Sequence, residues 1–172
     1  GQYGGTLRSA LLGGGDTAWM ERTISYENML NWNRDFSDVV PNVAESYSVS
    51  DDGTQITFNI RPGVKWSDGV PFTTEDILFF WNDLVLNEDV TVPLSNWWQA
   101  GGELPTIEAE DEYTFTITFA APNPLFVLAQ AHPNQWELTG IPKHYLSQFH
   151  IDYNPDADQL AEAAGFETWA AH

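Results

Sequence analysis

The sequence predicts an α+β fold: a largely antiparallel sheet with flanking helices. Two observations point to sheet, namely two segments of strict apolar–polar alternation, each bounded by turn residues. A third is one well-capped amphipathic helix between them, with no strand–helix–strand rhythm that would call for a parallel sheet.

Residues 4–12 read as a short strand after a Gly turn, and Gly13-Gly14-Gly15-Asp16 as a flexible break. Met20, Ile24, Met29 and Leu30 are spaced for a helix over 17–31, and Pro41-Asn42 mark the next break. Tyr47–Ser50 and Thr54–Ile60 then flank Asp51-Asp52-Gly53, a turn whose Gly can take positive φ, so the pair predicts a hairpin. In its second strand Ile56, Phe58 and Ile60 alternate with Thr57 and Asn59, which puts one face in the core and one in water.

Thr73 has the chemistry of an N-cap, and Asp76 is placed to complete a capping box with it. Ile77, Phe80, Trp81, Leu84 and Val85 then follow the spacing of an amphipathic helix. Tyr113, Phe115, Ile117 and Phe119 alternate with threonines as a second one-sided strand, which the Asp111-Glu112 turn pairs with Thr106–Ala109. Short helices are predicted over 124–131 and 142–149, with Pro142 in the first helical position, and a weaker one over 156–171, interrupted at Gly165.

Composition narrows the function. The chain has 172 residues, 25 acidic against six basic, a net charge of −19, eight Trp and no Cys. A nucleic-acid partner needs cations to displace counterions from phosphates, and an anionic membrane surface needs them too; this chain lacks them. Without cysteine there is no thiol catalysis, zinc–thiolate site or disulfide. No stretch nears the roughly 18 apolar residues of a membrane-spanning helix, and no signal peptide opens the chain. A mature or trimmed chain reads this way, and so does a cytosolic one.

Catalytic and metal patterns are weak. Gly13–Gly15 lacks the Lys-Ser/Thr ending of a phosphate loop. Asp152, Asn154, Asp156 and Asp158 alternate like a calcium loop, but Ala157 and Ala163 stand where the Gly and the bidentate Glu belong, so a solvated helix entry is the reading. The histidines at 132, 144, 150 and 172 form no H-E-x-x-H pattern, and no G-x-S-x-G elbow exists. No cofactor or metal is expected. Trp97-Trp98 lies in a loop-like stretch, where adjacent indoles cannot both enter one core; one is expected near a surface or cleft.

Two blocks carry a family likeness. One runs from Pro41-Asn42-Val43-Ala44-Glu45-Ser46-Tyr47 through the Asp51-Asp52-Gly53 turn to ITFNIRPGVKWSDGVPFTTEDILFFW at 56–81. The other joins residues 107–117 to APNPLF at 121–126 and IPKHYL at 141–146. Together they closely resemble the family 5 solute-binding proteins of ABC transporters, the group that includes oligopeptide and dipeptide receptors. The shared motif itself, a strand end, a tight turn and a capped helix, reads as a folding motif.

The resemblance implies a two-lobed, periplasmic-binding-protein-like fold (type II, cluster C) that closes around solute without cleaving it. Residues 1–40 would carry the first strand and entry segment of lobe one, and 41–172 its inserted subdomain. Family members are considerably longer, so the chain reads as an N-terminal portion with little solute affinity alone. It also implies an extracytoplasmic receptor in periplasm or at the cell surface, with a lipid anchor as one option, acting as a monomer with permease subunits.

By the same resemblance the segment after the first strand faces solute. That segment maps to residues 11–20, with Leu12, Gly13, Gly14, Asp16 and Trp19 as the expected contacts, and Tyr26, Trp97 and Trp98 are further aromatic candidates for the solute. This chain has Gly-Gly-Gly-Asp where peptide binders often carry a Leu-Asp-Pro-like stretch. The expected solute is an oligopeptide; an oligosaccharide is the alternative within the family. A carbohydrate-active enzyme fragment with a carboxylate pair and a self-standing adhesion domain are the readings from other classes.

Overall fold

The computed structural model describes residues 27–132 and 135–172. Strands β1 (Leu30–Trp32) and β2 (Val39–Pro41) form an antiparallel hairpin. Strands β3 (Ala44–Val49), β4 (Gln55–Ile60), β5 (Thr106–Ala109) and β6 (Thr114–Thr118) form a four-stranded antiparallel sheet in the order β3-β4-β6-β5. This is the α+β architecture that the alternation predicts.

The two faces of the sheet divide as expected. Ile56, Phe58, Ile60, Phe115 and Ile117 are buried on the inner face, where Phe58 and Phe115 pair in register with stacked rings 5.4 Å apart. On the wet face the hydroxyls of Thr57 and Thr116 hydrogen-bond across the strands at 2.7 Å.

The β3–β4 turn is built by Asp52. Its Oδ1 accepts from Ser50 Oγ at 2.6 Å, Thr54 N at 3.1 Å and Thr54 Oγ1 at 2.8 Å, while Gly53 takes φ +69°. Those donors, the Ser50 hydroxyl first, pull the carboxyl from the ordinary 3.8 down to about 2. The folded value lies below the unfolded one, so the stabilisation is present above pH 3.8 and is lost as pH falls through about 2. An NMR titration of Asp52 should give a midpoint near 2; a midpoint at the ordinary value would mean that the turn is not held this way.

Helix α1 (Thr74–Leu78) opens with the predicted box: Thr73 Oγ1 accepts from Glu75 N, and Asp76 reaches back to Thr73 N. The chain then widens into a π-helix over Phe79–Val85, which buries the consecutive Phe79, Phe80 and Trp81. The predicted 3.6-residue stripe is therefore only half right, because Leu84 and Val85 turn partly outward. Helices α2 (Leu125–Ala129), α3 (Lys143–Leu146) and α4 (Ala157–Ala164) follow, and α4 stops at Gly165 in the left-handed region at φ +90°. Pro142 sits one residue before α3 rather than in its first position.

The helix predicted over 17–31 is corrected where it can be seen. Leu30 and Asn31 belong to β1. Their neighbourhood is claimed by tertiary partners: Met29 O accepts from Asn42 N and Ala44 N, and Leu30 N donates to Gln130 O. Backbone groups spent that way cannot close helical turns. The rest of that segment, like the predicted strand at 4–12, lies outside the described residues.

Candidate functional site

Of the expected solute contacts, Leu12, Gly13, Gly14, Asp16, Trp19 and Tyr26 lie outside the described residues, which leaves the two indoles. A 3-10 turn over Asn96–Trp98 sends them apart. Trp98 is fully buried, stacked on Trp81 at 5.1 Å and edge-on to Phe126 at 4.9 Å. Trp97 is 42% exposed, and Asn123 Nδ2 donates to its carbonyl at 2.8 Å, which pins the turn to the start of α2. The pair is therefore divided, with Trp97 at the surface and Trp98 in the core.

The two blocks of family likeness meet in space. Asp76 is the node: Oδ2 accepts from Thr73 N at 3.1 Å and Trp66 Nε1 at 3.3 Å, and Oδ1 from Lys143 N at 2.9 Å. Around it Lys143 Nζ pairs with Glu75 at 2.8 Å, and His144 Nε2 with Asp68 at 2.7 Å. The hydrogen bond from each partner holds the Glu75 and Asp68 carboxyls below the usual range. The motif thus ties the 64–76 segment to α3, a structural task consistent with its reading as a folding motif.

Beside this clamp lies a feature that the sequence did not disclose, an open groove of about 510 Å³. Its floor is apolar, with Val43 and Phe72 buried and Val64 and Trp66 half-buried. Arg61, Lys65 and Glu27 line it as exposed residues. The one available signal was two of the chain's six cations four positions apart, next to an indole.

Other candidates take structural roles. Asp156 stands at the N-cap of α4, Asn154 Oδ1 accepts from Asp156 N at 3.0 Å, and Asp158 Oδ1 accepts from Trp169 N at 2.9 Å. His150 is buried against Trp169, its Nδ1 accepting from Asp152 N at 3.2 Å, so its Nε2 carries the proton toward Asp83 O at 3.0 Å. Nearby, burial and the hydrogen bond to Asp83 raise the Tyr153 phenol to about 12, keeping it a donor. Among the described residues no cluster of His, Asp and Glu is arranged to hold a metal ion.

Comparison with known proteins places this fold. Residues 38–160 match the model of the bacterial extracellular solute-binding proteins, family 5 Middle. The periplasmic α-galactoside-binding protein of Rhizobium meliloti is 30% identical over 66% of this chain and 20% of its own length. The periplasmic oligopeptide-binding protein OppA of Salmonella typhimurium is 28% identical over 72% of this chain and 24% of its own. Among solved structures, an oligopeptide-binding protein OppA aligns with 99% of this chain and 26% of its own, with a TM-score of 0.81 and 36% identity. MelB of Agrobacterium fabrum C58, in complex with stachyose, aligns with 75% of this chain and 20% of its own at a TM-score of 0.57 and 30% identity. The chain thus spans about a fifth to a quarter of these relatives. With the matched region covering most of the sequence, the chain belongs to the bacterial extracellular solute-binding proteins, family 5.

Proposed function

We propose that this chain is part of the substrate-binding component of an ABC importer, one that takes up extracytoplasmic oligopeptides and hands them to a membrane permease. The observation that carries the reading is the likeness of nearly the whole chain to an oligopeptide-binding protein at 36% identity. Within that receptor, residues 41–172 form the inserted subdomain of lobe one and 1–40 its first strand and entry segment. The β1–β2 hairpin spans the join, and its Leu30 and Val39 share one core with the sheet. Solute is enclosed as the lobes close, and no bond is made or broken, so neither cofactor nor metal is needed. The receptor works outside the cytoplasm, in line with the periplasmic location in the relatives' names.

In this reading the solute-facing residues are Leu12, Gly13, Gly14, Asp16, Trp19 and Tyr26, joined by Trp97 on its braced turn. A second reading, an oligosaccharide receptor, is favoured by the α-galactoside-binding relative and by the stachyose complex. An exposed indole serves either solute, by packing on an apolar side chain or stacking on a sugar ring.

A thermal-shift screen of the full-length receptor against mixed peptides and mixed oligosaccharides decides between them. A ligand at 100 times its Kd adds about 2.7 kcal/mol to the folded state. Peptides alone should raise the midpoint, and Trp97→Ala should shrink that rise. A shift with sugars alone would replace the peptide reading, and turnover of either solute would end the receptor reading.

A further inference from the structure

The groove beside the Asp76 clamp has a charge that the rest of the chain does not. Acids outnumber bases 25 to six over the sequence, yet among the described residues two cations and one acid line this groove. Among the described residues neither Arg61 nor Lys65 makes an ion pair, although carboxylates are plentiful. The acid, Glu27, is engaged through Oε2 by Asn42 Nδ2 at 2.8 Å, and the carbonyl of the same Asn42 accepts from Arg61 Nε at 3.4 Å. That second contact fixes the guanidinium by one edge and leaves its terminal amino groups without a partner among the described residues.

The scaffold beneath is fixed before any ligand arrives. Lys65 bridges to Pro71, Trp66 N donates to Val70 O at 2.8 Å, and Phe72 N donates to Val64 O at 3.0 Å. Trp66 is held further by its bond to Asp76 and by an edge-on contact with Phe72, ring centroids 5.4 Å apart. A rigid indole floor under two cations that have no ion-pair partner among the described residues, in a volume of about 510 Å³, has the size and the mixed lining of a small-molecule site.

We propose that this groove binds, in addition to the transported solute, a small carboxylate-bearing molecule with an apolar ring or chain. The carboxylate lies between Arg61 and Lys65, where guanidinium geometry favours a paired contact, and the apolar body lies on Trp66 and Phe72. The site shares no lining residue with the Trp97 turn and does not depend on which solute the cleft takes.

The test uses the full-length receptor with phenylacetate, its uncharged amide and acetate as probes, read by ligand-observed saturation-transfer NMR. Phenylacetate should bind about tenfold more tightly than the amide, the worth of one charge-assisted hydrogen bond, and acetate more weakly than phenylacetate. Arg61→Gln with Lys65→Gln should abolish the preference for the acid while leaving the thermal midpoint near that of the parent, since both side chains are exposed. A single Lys65→Gln serves if the double variant melts early. Equal binding of acid and amide, a preference that survives both substitutions, or no binding of phenylacetate at 20-fold the concentration expected for millimolar affinity (about 20 mM) would overturn the proposal.

Discussion

Replacing Trp98 with Ala should lower the unfolding free energy by about 3–5 kcal/mol. The indole is fully buried and contacts Phe80, Trp81 and Phe126, so truncation opens a cavity where three elements meet. Its Nε1 is buried and has no hydrogen-bond partner among the described residues. Trp98→Phe removes that unpaired donor along with part of the ring and should cost far less than the alanine variant. Trp97→Ala, at a site 42% exposed, should cost under about 1 kcal/mol. Urea unfolding of the three variants gives the comparison. If the Trp97 and Trp98 alanine variants unfold together, the division of the pair into core and surface is wrong.

Asp76→Asn should cost nearly as much as Asp76→Ala, about 2–4 kcal/mol each. Both carboxylate oxygens accept from N–H donors: Thr73 and Trp66 on one, Lys143 on the other. An amide keeps one acceptor and turns its NH2 toward a donor, so a shape-conserving change still leaves a buried polar group facing a like group. The alanine variant loses all three bonds but introduces no such conflict. Denaturation midpoints measure the pair, and hydrogen exchange at Thr73 and Lys143 shows whether the clamp opened. A mild Asn variant, within about 0.5 kcal/mol of the parent, would show that the three bonds are not what joins α1 to α3.

Legibility in the sequence followed the range of the interaction. Asp52-Gly53 and the Thr73–Asp76 box act within a few residues, so residue type alone revealed the turn and the cap. Alternation in β4 and β6 was equally plain, because each strand buries only one face. The division of Trp97 from Trp98 followed from the geometry of neighbouring side chains. The segment around Met29 and Leu30 misled because its partners are Asn42, Ala44 and Gln130, which helical spacing cannot reveal. The groove stayed hidden for a related reason: Glu27, Asn42 and Arg61 meet only once β1–β2 has folded against the end of β4. Family likeness carried further than periodicity, and it marked the two blocks that prove to be clamped at Asp76.

The π-helix has a consequence for how this chain lines up with its relatives. A π-turn spends one more residue than an α-turn on the same circuit of the axis. A relative whose helix stays α through this region reaches the equivalent of Leu86 with one residue fewer, and the correct alignment puts a single gap inside the Phe79–Val85 span. Matching that forbids the gap shifts every position between here and the Trp97 turn by one. In an extended or tightly turned stretch, that one-residue shift is enough to exchange the buried indole for the exposed one.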